Sequence, residues 1–181
     1  DFIKRGQFKQ AESCFRAGAC PRGELLARIY GDYKFLTKEY YSSVNISSSS
    51  PSHFSSNSEY IAEIKEKLRS LAKEFIKAGR PEPAINCFVT IRDLESAIAV
   101  AVQLNDEPKL ASLYLEAKDY SKALECYNRC KDVVGAFTTL QLSDFPVERI
   151  MQEISKLVQI ASKKERLVME SVVPMYIYKL C

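Results

Sequence analysis

Apolar residues recur along this chain every three or four positions, the spacing of one buried helical face. The clearest stripe holds Ile61, Ile64, Leu68, Leu71, Phe75 and Ile76. It predicts a long helix from an N-cap at Ser58 to Ala78, closed by Gly79 and the pair Pro81/Pro83. Shorter helices with tight breaks are expected over residues 82–91, 93–104, 107–117, 121–130 and 132–142. Asp106 before Glu107-Pro108 is a start signal, as is Ser121 after Lys118-Asp119-Tyr120. A longer amphipathic helix begins near Pro146 and carries Ile150, Ile154, Leu157, Val158 and Ala161. The apolar end SVVPMYIYKLC (171–181) is expected to pack on something, such as a following repeat. Val, Ile and Thr alternate with polar residues over no long run, so the fold class is all-α.

One stretch breaks the pattern. Residues 42–58, SSVNISSSSPSHFSSNS, hold almost nothing to bury and cannot offset their own ordering entropy. They are expected to form a Ser-rich flexible loop, whose serines are candidate phosphorylation sites although a plain solvated loop suffices. The loop separates a partial N-terminal helical repeat (1–41) from a helical-repeat array with C-terminal amphipathic helices (59–181).

The helices repeat themselves. AKEFIKAGRPEPAINCFVTIRDLESAI (72–98) aligns at a constant offset with ASLYLEAKDYSKALECYNRCKDVVGAF (111–137), so that Ala72 meets Ala111 thirty-nine positions on. Ala84 meets Ala123, Cys87 meets Cys126, Phe88 meets Tyr127 and Asp93 meets Asp132. FIKRGQFKQAESCF (2–15) matches FIKAGRPEPAINCF (75–88) at a second constant offset, pairing Gly6 with Gly79, Ala11 with Ala84 and Cys14 with Cys87. Such self-similarity is the signature of a stacked helical array. It also assigns the cysteines: Cys14, Cys87 and Cys126 share one slot, and Cys130 stands where the other copy has Ile91. Thiols in such slots act as small hydrophobes, expected to be buried, reduced and free of metal.

The string LASLYLEAKDYSKALECYNRC resembles a tetratricopeptide-type repeat. Leu110-Ala111 and Tyr114 match its first helix, Asp119-Tyr120 its turn, and Ala123 with Tyr127 the small/large pair of its second. Leu71-Ala72, Phe75, Gly79, Ala84 and Phe88 repeat the pattern, and Gly6, Phe8, Ala11 and Phe15 echo it. Neither offset is the family's regular period of about 34 residues. Ser96 and Gly135 also stand where the family often has proline. Irregular repeats of this kind resemble the solenoids of vesicle-coat and intraflagellar-transport subunits and, more weakly, the repeat tails of helicase-like proteins. The resemblance implies an irregular α-solenoid of tetratricopeptide-like antiparallel helix hairpins, in which small residues admit close helix approach and aromatics fill the gaps.

Composition narrows the chemistry. At 181 residues and 46% hydrophobic, the chain holds a real core. It opens at Asp1, in what reads as the end of a helix, and is expected to be a piece of a longer chain. Six cysteines inside amphipathic segments favour a reducing, intracellular and cytoplasmic setting. The single histidine, His53, sits in the serine stretch, which leaves a Cys/His zinc set and a Ser-His-Asp triad without a partner. No phosphate-cradling glycine motif is present. Glu63/Lys67 and Glu116 read as surface charge. The aromatics Tyr30, Tyr33, Phe35, Tyr40 and Tyr41 read as core ahead of interaction surface. No apolar run is long enough for membrane insertion. The net charge of +3 does not suggest an obligate nucleic-acid binder, and Lys156, Lys163, Lys164 and Arg166 form a candidate basic patch that lacks the interleaved exposed aromatics of a nucleic-acid site. No catalytic, cofactor-binding or metal-ligating residue is assigned. The expected function is a non-catalytic protein–protein interaction scaffold, a segment of a coat- or transport-type assembly whose partners are other subunits or peptides. The alternative is an accessory module of a nucleic-acid-processing, helicase-like enzyme.

Overall fold

The structure, a computed structural model, describes residues 2–47 and 54–162. Among these residues it is all-helical: α1 (Phe8–Ala17), α2 (Pro21–Ser47), α3 (Phe54–Lys77), α4 (Pro81–Thr90), α5 (Leu94–Leu104), α6 (Glu107–Glu116), α7 (Tyr120–Cys130), α8 (Val133–Leu142) and α9 (Val147–Ile160). From α4 onward the helices fall within a residue or two of their expected bounds. Asp106 caps α6, accepting from the Lys109 amide at 3.1 Å, as its sequence position implied. The cap of α7 is Asp119 and not Ser121, because Asp119 accepts the Lys122 amide at 3.3 Å.

The largest departure concerns α2 and α3. α2 runs on through Ser47 and α3 begins at Phe54, so both helices enter the 42–58 stretch expected to be a loop, and Ser58 lies inside α3 without capping it. Residues 48–53 lie outside the described residues. The two helices pack on each other, Tyr40 and Ser43 are buried, and the Tyr60 hydroxyl donates to Glu39 Oε2 at 3.1 Å. Tertiary packing here extends helices beyond what serine-rich composition favours. The core side of α3 is Ile64, Leu68, Leu71, Ala72 and Phe75, while Ile76, assigned to the same stripe from sequence, faces out.

A shorter period organises the backbone. Left-handed residues stand at Gly79, Arg92, Asn105, Lys118 and Lys131, each thirteen positions after the last, and again at Gly6 and Ala19 with the same spacing. At all of them the next amide donates to the carbonyl five positions back: Arg80 to Phe75, Asp93 to Phe88, Asp106 to Ala101, Asp119 to Tyr114, Asp132 to Tyr127, and likewise Gln7 to Phe2 and Cys20 to Phe15. This is a Schellman closure, and the carbonyl belongs to an aromatic residue in every case but Ala101. At Asp93, Asp106, Asp119 and Asp132 the residue that closes one helix also caps the next, its carboxylate accepting the amide three positions on. Burial keeps the same step. Ala84, Ala97, Leu110, Ala123 and Ala136 are all buried, as are Cys87, Val100, Leu113, Cys126 and Thr139. The offset that brings Ala84 onto Ala123 is therefore three of these steps. One more step from Ala19 reaches Asp32, where α2 continues instead of turning.

The chain divides into two compact units, Asp1–Val100 and Ala101–Cys181, with the boundary inside α5. In the first, α2 packs against α1 and α3, and α3 against α4. The serine-rich stretch thus joins two packed helices of one unit. Around Phe75, fully buried, the rings of Tyr30 and Tyr33 stand edge-on at 5.0 and 6.1 Å. In the second unit, α6, α7, α8 and α9 pack in succession, and Ile150, Ile154 and Leu157 bury one face of α9. Among the described residues no helix is long and apolar enough to cross a membrane.

Candidate functional site

The thiols come first, because they carry the most reactive chemistry in the sequence. Cys87 and Cys126 are buried in α4 and α7, as their shared slot implied. Burial pushes the Cys87 thiol up to about 12 and also raises Cys126, whose Sγ takes a hydrogen bond from Arg129 Nη2 at 3.2 Å. Cys130 is half-buried. Cys14, expected to be buried with its counterparts, is exposed. It lies on α1, which packs chiefly on α2, whereas α4 packs on α3 and touches α2 as well. The same slot is therefore covered in α4 and open in α1. Among the described residues no three His, Cys, Asp or Glu side chains gather where a metal ion would be held.

Several carboxylates pair with cations. Glu63 pairs with Lys67 at 2.6 Å, Glu66 with Arg69 at 2.7 Å, Glu74 with Arg28 at 3.2 Å and Glu107 with Arg129 at 2.9 Å. Arg69 also reaches Asp93, the cap of α5, and so ties α3 to the turn between α4 and α5. Burial pushes the Asp93 carboxyl up, but hydrogen bonds from Ser96 and Arg69 outweigh it and leave the group below its ordinary value. Lys156, placed by sequence in a basic cluster, pairs with Glu153 at 2.8 Å, and the rest of that cluster (163–166) lies outside the described residues. These pairs hold surface geometry.

The aromatic helix α2 supplies the most distinctive surface. Its rings split between core and solvent: Tyr40 is buried, Tyr30 and Tyr33 are half-buried against Phe75, and Phe35 and Tyr41 are 63% and 53% exposed. Several grooves flank the helix. Between α2 and α3 a groove of about 470 Å³ is lined by Asp32, Phe35, Leu36, Glu63, Glu66 and Lys67 among others. Against α1 a trough of about 420 Å³ is lined by Phe8, Tyr30, Tyr33 and Tyr41 together with Lys34 and Lys38. Phe8 stacks on Tyr30 at 6.5 Å, and Lys34 Nζ lies 5.8 Å from the centre of the Phe8 ring. The helices come this close because Gly31 faces Phe8; a β-carbon there would stand 3.3 Å from Phe8 Cβ. The sequence marks the α2 aromatics, and Phe8 as a repeat position only, but not Lys34 or Lys38. The two lysines at i, i+4 were a readable signal, but their pairing with Phe8 depends on how α1 lies on α2.

No family model, curated protein or solved structure matches the chain.

Proposed function

We propose that this chain is part of a protein–protein interaction scaffold: an irregular α-solenoid of short, tetratricopeptide-like antiparallel helices that presents side-chain surfaces and performs no catalysis of its own. The single observation that carries this reading is the recurrence, at every thirteenth position from Gly79 to Lys131, of one turn closure with one set of buried positions. A unit of one helix and one turn cannot bury its apolar face alone, so such units are stable only when stacked. Stacking yields a long surface of varied side chains on a uniform frame, which suits recognition of peptides or of helices from neighbouring subunits. The resemblance of its repeats supports membership of a coat- or transport-type assembly, and the reduced cysteines support a cytoplasmic setting.

The competing reading is the accessory module of a helicase-like enzyme, and nucleic-acid affinity separates the two. Labelled single-stranded DNA titrated over a salt series should bind weakly to a scaffold and be lost at moderate salt. Tight binding with a steep salt slope, abolished by Lys163→Glu with Lys164→Glu, would select the enzyme module. Cross-linked affinity capture from cells gives the complementary result: a scaffold recovers protein subunits in stoichiometric amounts.

A further inference from the structure

The trough between α1 and α2 has a chemistry that the repeating frame does not require. Its walls are aromatic and its charged groups are Lys34 and Lys38, with no carboxylate in the lining. Four other long cations of the first unit pair with acids: Arg16 with Glu12 and Glu24, Arg28 with Glu74, Lys67 with Glu63, and Arg69 with Glu66 and Asp93. Among the described residues Lys34 and Lys38 stand in no ion pair. The nearest acids in sequence are turned to other tasks. Glu39 accepts the Tyr60 hydroxyl from α3, and Asp32 lines the groove shared with α3 and a second cavity against α1, neither of them this trough. The two ammonium groups are held one helical turn apart on one face. Lys34 is further placed by the Gly6 turn, where a β-carbon would come within 3.0 Å of its Nζ.

We propose that this trough docks an acidic amphipathic segment of a partner protein. Carboxylates one turn apart on that segment meet Lys34 and Lys38, and an apolar side chain between them lies in the trough, against Phe8, Tyr30, Tyr33 and Tyr41. The proposal rests on the scaffold function and names the partner chemistry of one surface. Complementary charge at the rim sets register and speeds encounter, while the aromatic floor supplies the apolar contact. Nucleic acid fits this surface poorly. Base stacking needs free ring faces, whereas Phe8 and Tyr30 are stacked on each other at 6° and Tyr30 and Tyr33 pack on Phe75. Two lysines also make no track for a phosphate backbone.

The test uses a fluorescein-labelled peptide with leucine on one helical face and glutamate at i, i+4, titrated against the whole chain by anisotropy. Its lysine-for-glutamate counterpart and a single-stranded oligothymidine are titrated beside it. Lys34→Glu with Lys38→Glu should weaken the glutamate peptide by about tenfold or more. Lys73→Glu with Lys77→Glu makes the same change of net charge on α3 and should leave affinity within about twofold. All four lysines are exposed, so circular dichroism should match the parent in both variants. An equal effect of the two double substitutions, or lysine-peptide binding as tight as glutamate-peptide binding, overturns the docking site and leaves the scaffold in place. Oligothymidine displacing the peptide from Lys34 and Lys38 overturns both.

Discussion

The ring of Tyr127 in α7 lies directly over Gly135 in α8: a β-carbon built on Gly135 would stand 2.4 Å from Tyr127 Cε1. The relationship recurs in α1 and α2, where a β-carbon on Gly23 would stand 2.4 Å from Phe15 Cδ1. In both cases the aromatic is the residue whose carbonyl closes the turn, and the glycine is the third residue of the next helix. Ser96 occupies that position after Phe88, and Lys122, after Tyr114, lays its ammonium over the ring at 5.4 Å. The glycines at 23 and 135 thus make room for the ring that precedes them.

That contact predicts a sign reversal. Alanine in place of glycine normally favours a helix by about 0.5–1 kcal/mol, yet Gly135→Ala should cost about 1–3 kcal/mol because the Tyr127 ring must move. In a Tyr127→Ala background, itself costing about 3 kcal/mol or more, Gly135→Ala should become neutral or stabilising. A double-mutant cycle by denaturant unfolding reads the coupling directly. Additive effects would show that the ring and the glycine do not meet.

Ala123 tests the close helix approach itself. It is 0% exposed in α7, so Ala123→Leu should overpack its surroundings and cost about 1–3 kcal/mol. Ser112→Leu, on the exposed side of α6, should change stability by no more than about 0.5 kcal/mol. Equal effects would mean that the slot shared by Ala84 and Ala123 is not a packing slot.

The aspartate caps give stability a pH dependence. Asp119 is held below its ordinary carboxyl value by hydrogen bonds from the Lys122 side chain and amide, and Asp93 is also depressed. A depressed carboxyl stabilises the fold at pH above its unfolded value and loses that contribution as pH falls through its folded value. Chemical-denaturation stability should therefore decline below about pH 4. Asp119→Ala should cost about 1 kcal/mol at neutral pH. Asp119→Asn retains a cap and removes one titrating group, so its acid decline should be shallower. An unchanged acid decline would show that Asp119 is not a titrating contributor.

The cysteines should divide by rate of reaction with a neutral-pH thiol reagent. Cys14 and Cys20 are exposed and should label first, while Cys87, buried and pushed up to about 12, should label only as fast as α4 opens. Mass mapping of the modified peptides over time checks the order. Early labelling of Cys87 would contradict the packing of α4 on α3.

What was legible in the sequence follows from what is local. Helix ends from Pro81 to Leu142 could be read because each turn carries its own chemistry, a left-handed residue followed in four cases by a capping aspartate. The aspartates at 93, 106, 119 and 132 carried the shorter step in plain view. Alignment on the strongest side-chain matches selected the longer offset because three steps bring Cys87 onto Cys126 and Phe88 onto Tyr127. The lengths of α2 and α3 were not readable, since the helix in residues 42–47 is supported by the neighbour and not by its serines. Cys14 and the Lys34–Phe8 contact were missed for a related reason: each depends on what lies beside α1.

The most direct measurement of the repeating frame is a pair of internal deletions followed by thermal and denaturant unfolding. Removal of residues 106–131 excises two complete steps, α6 and α7 with their turns, and joins Asn105 to the capping Asp132 in the register that Asp106 held. Removal of 106–125 cuts α7 in the middle and breaks the step. If stacked single-helix units build the chain, the first deletion should retain a cooperative transition and helicity per residue near the parent's, and the second should lose both. Equal behaviour of the two deletions, whether both fold or both fail, would contradict the step from one left-handed turn to the next as the structural unit of this protein.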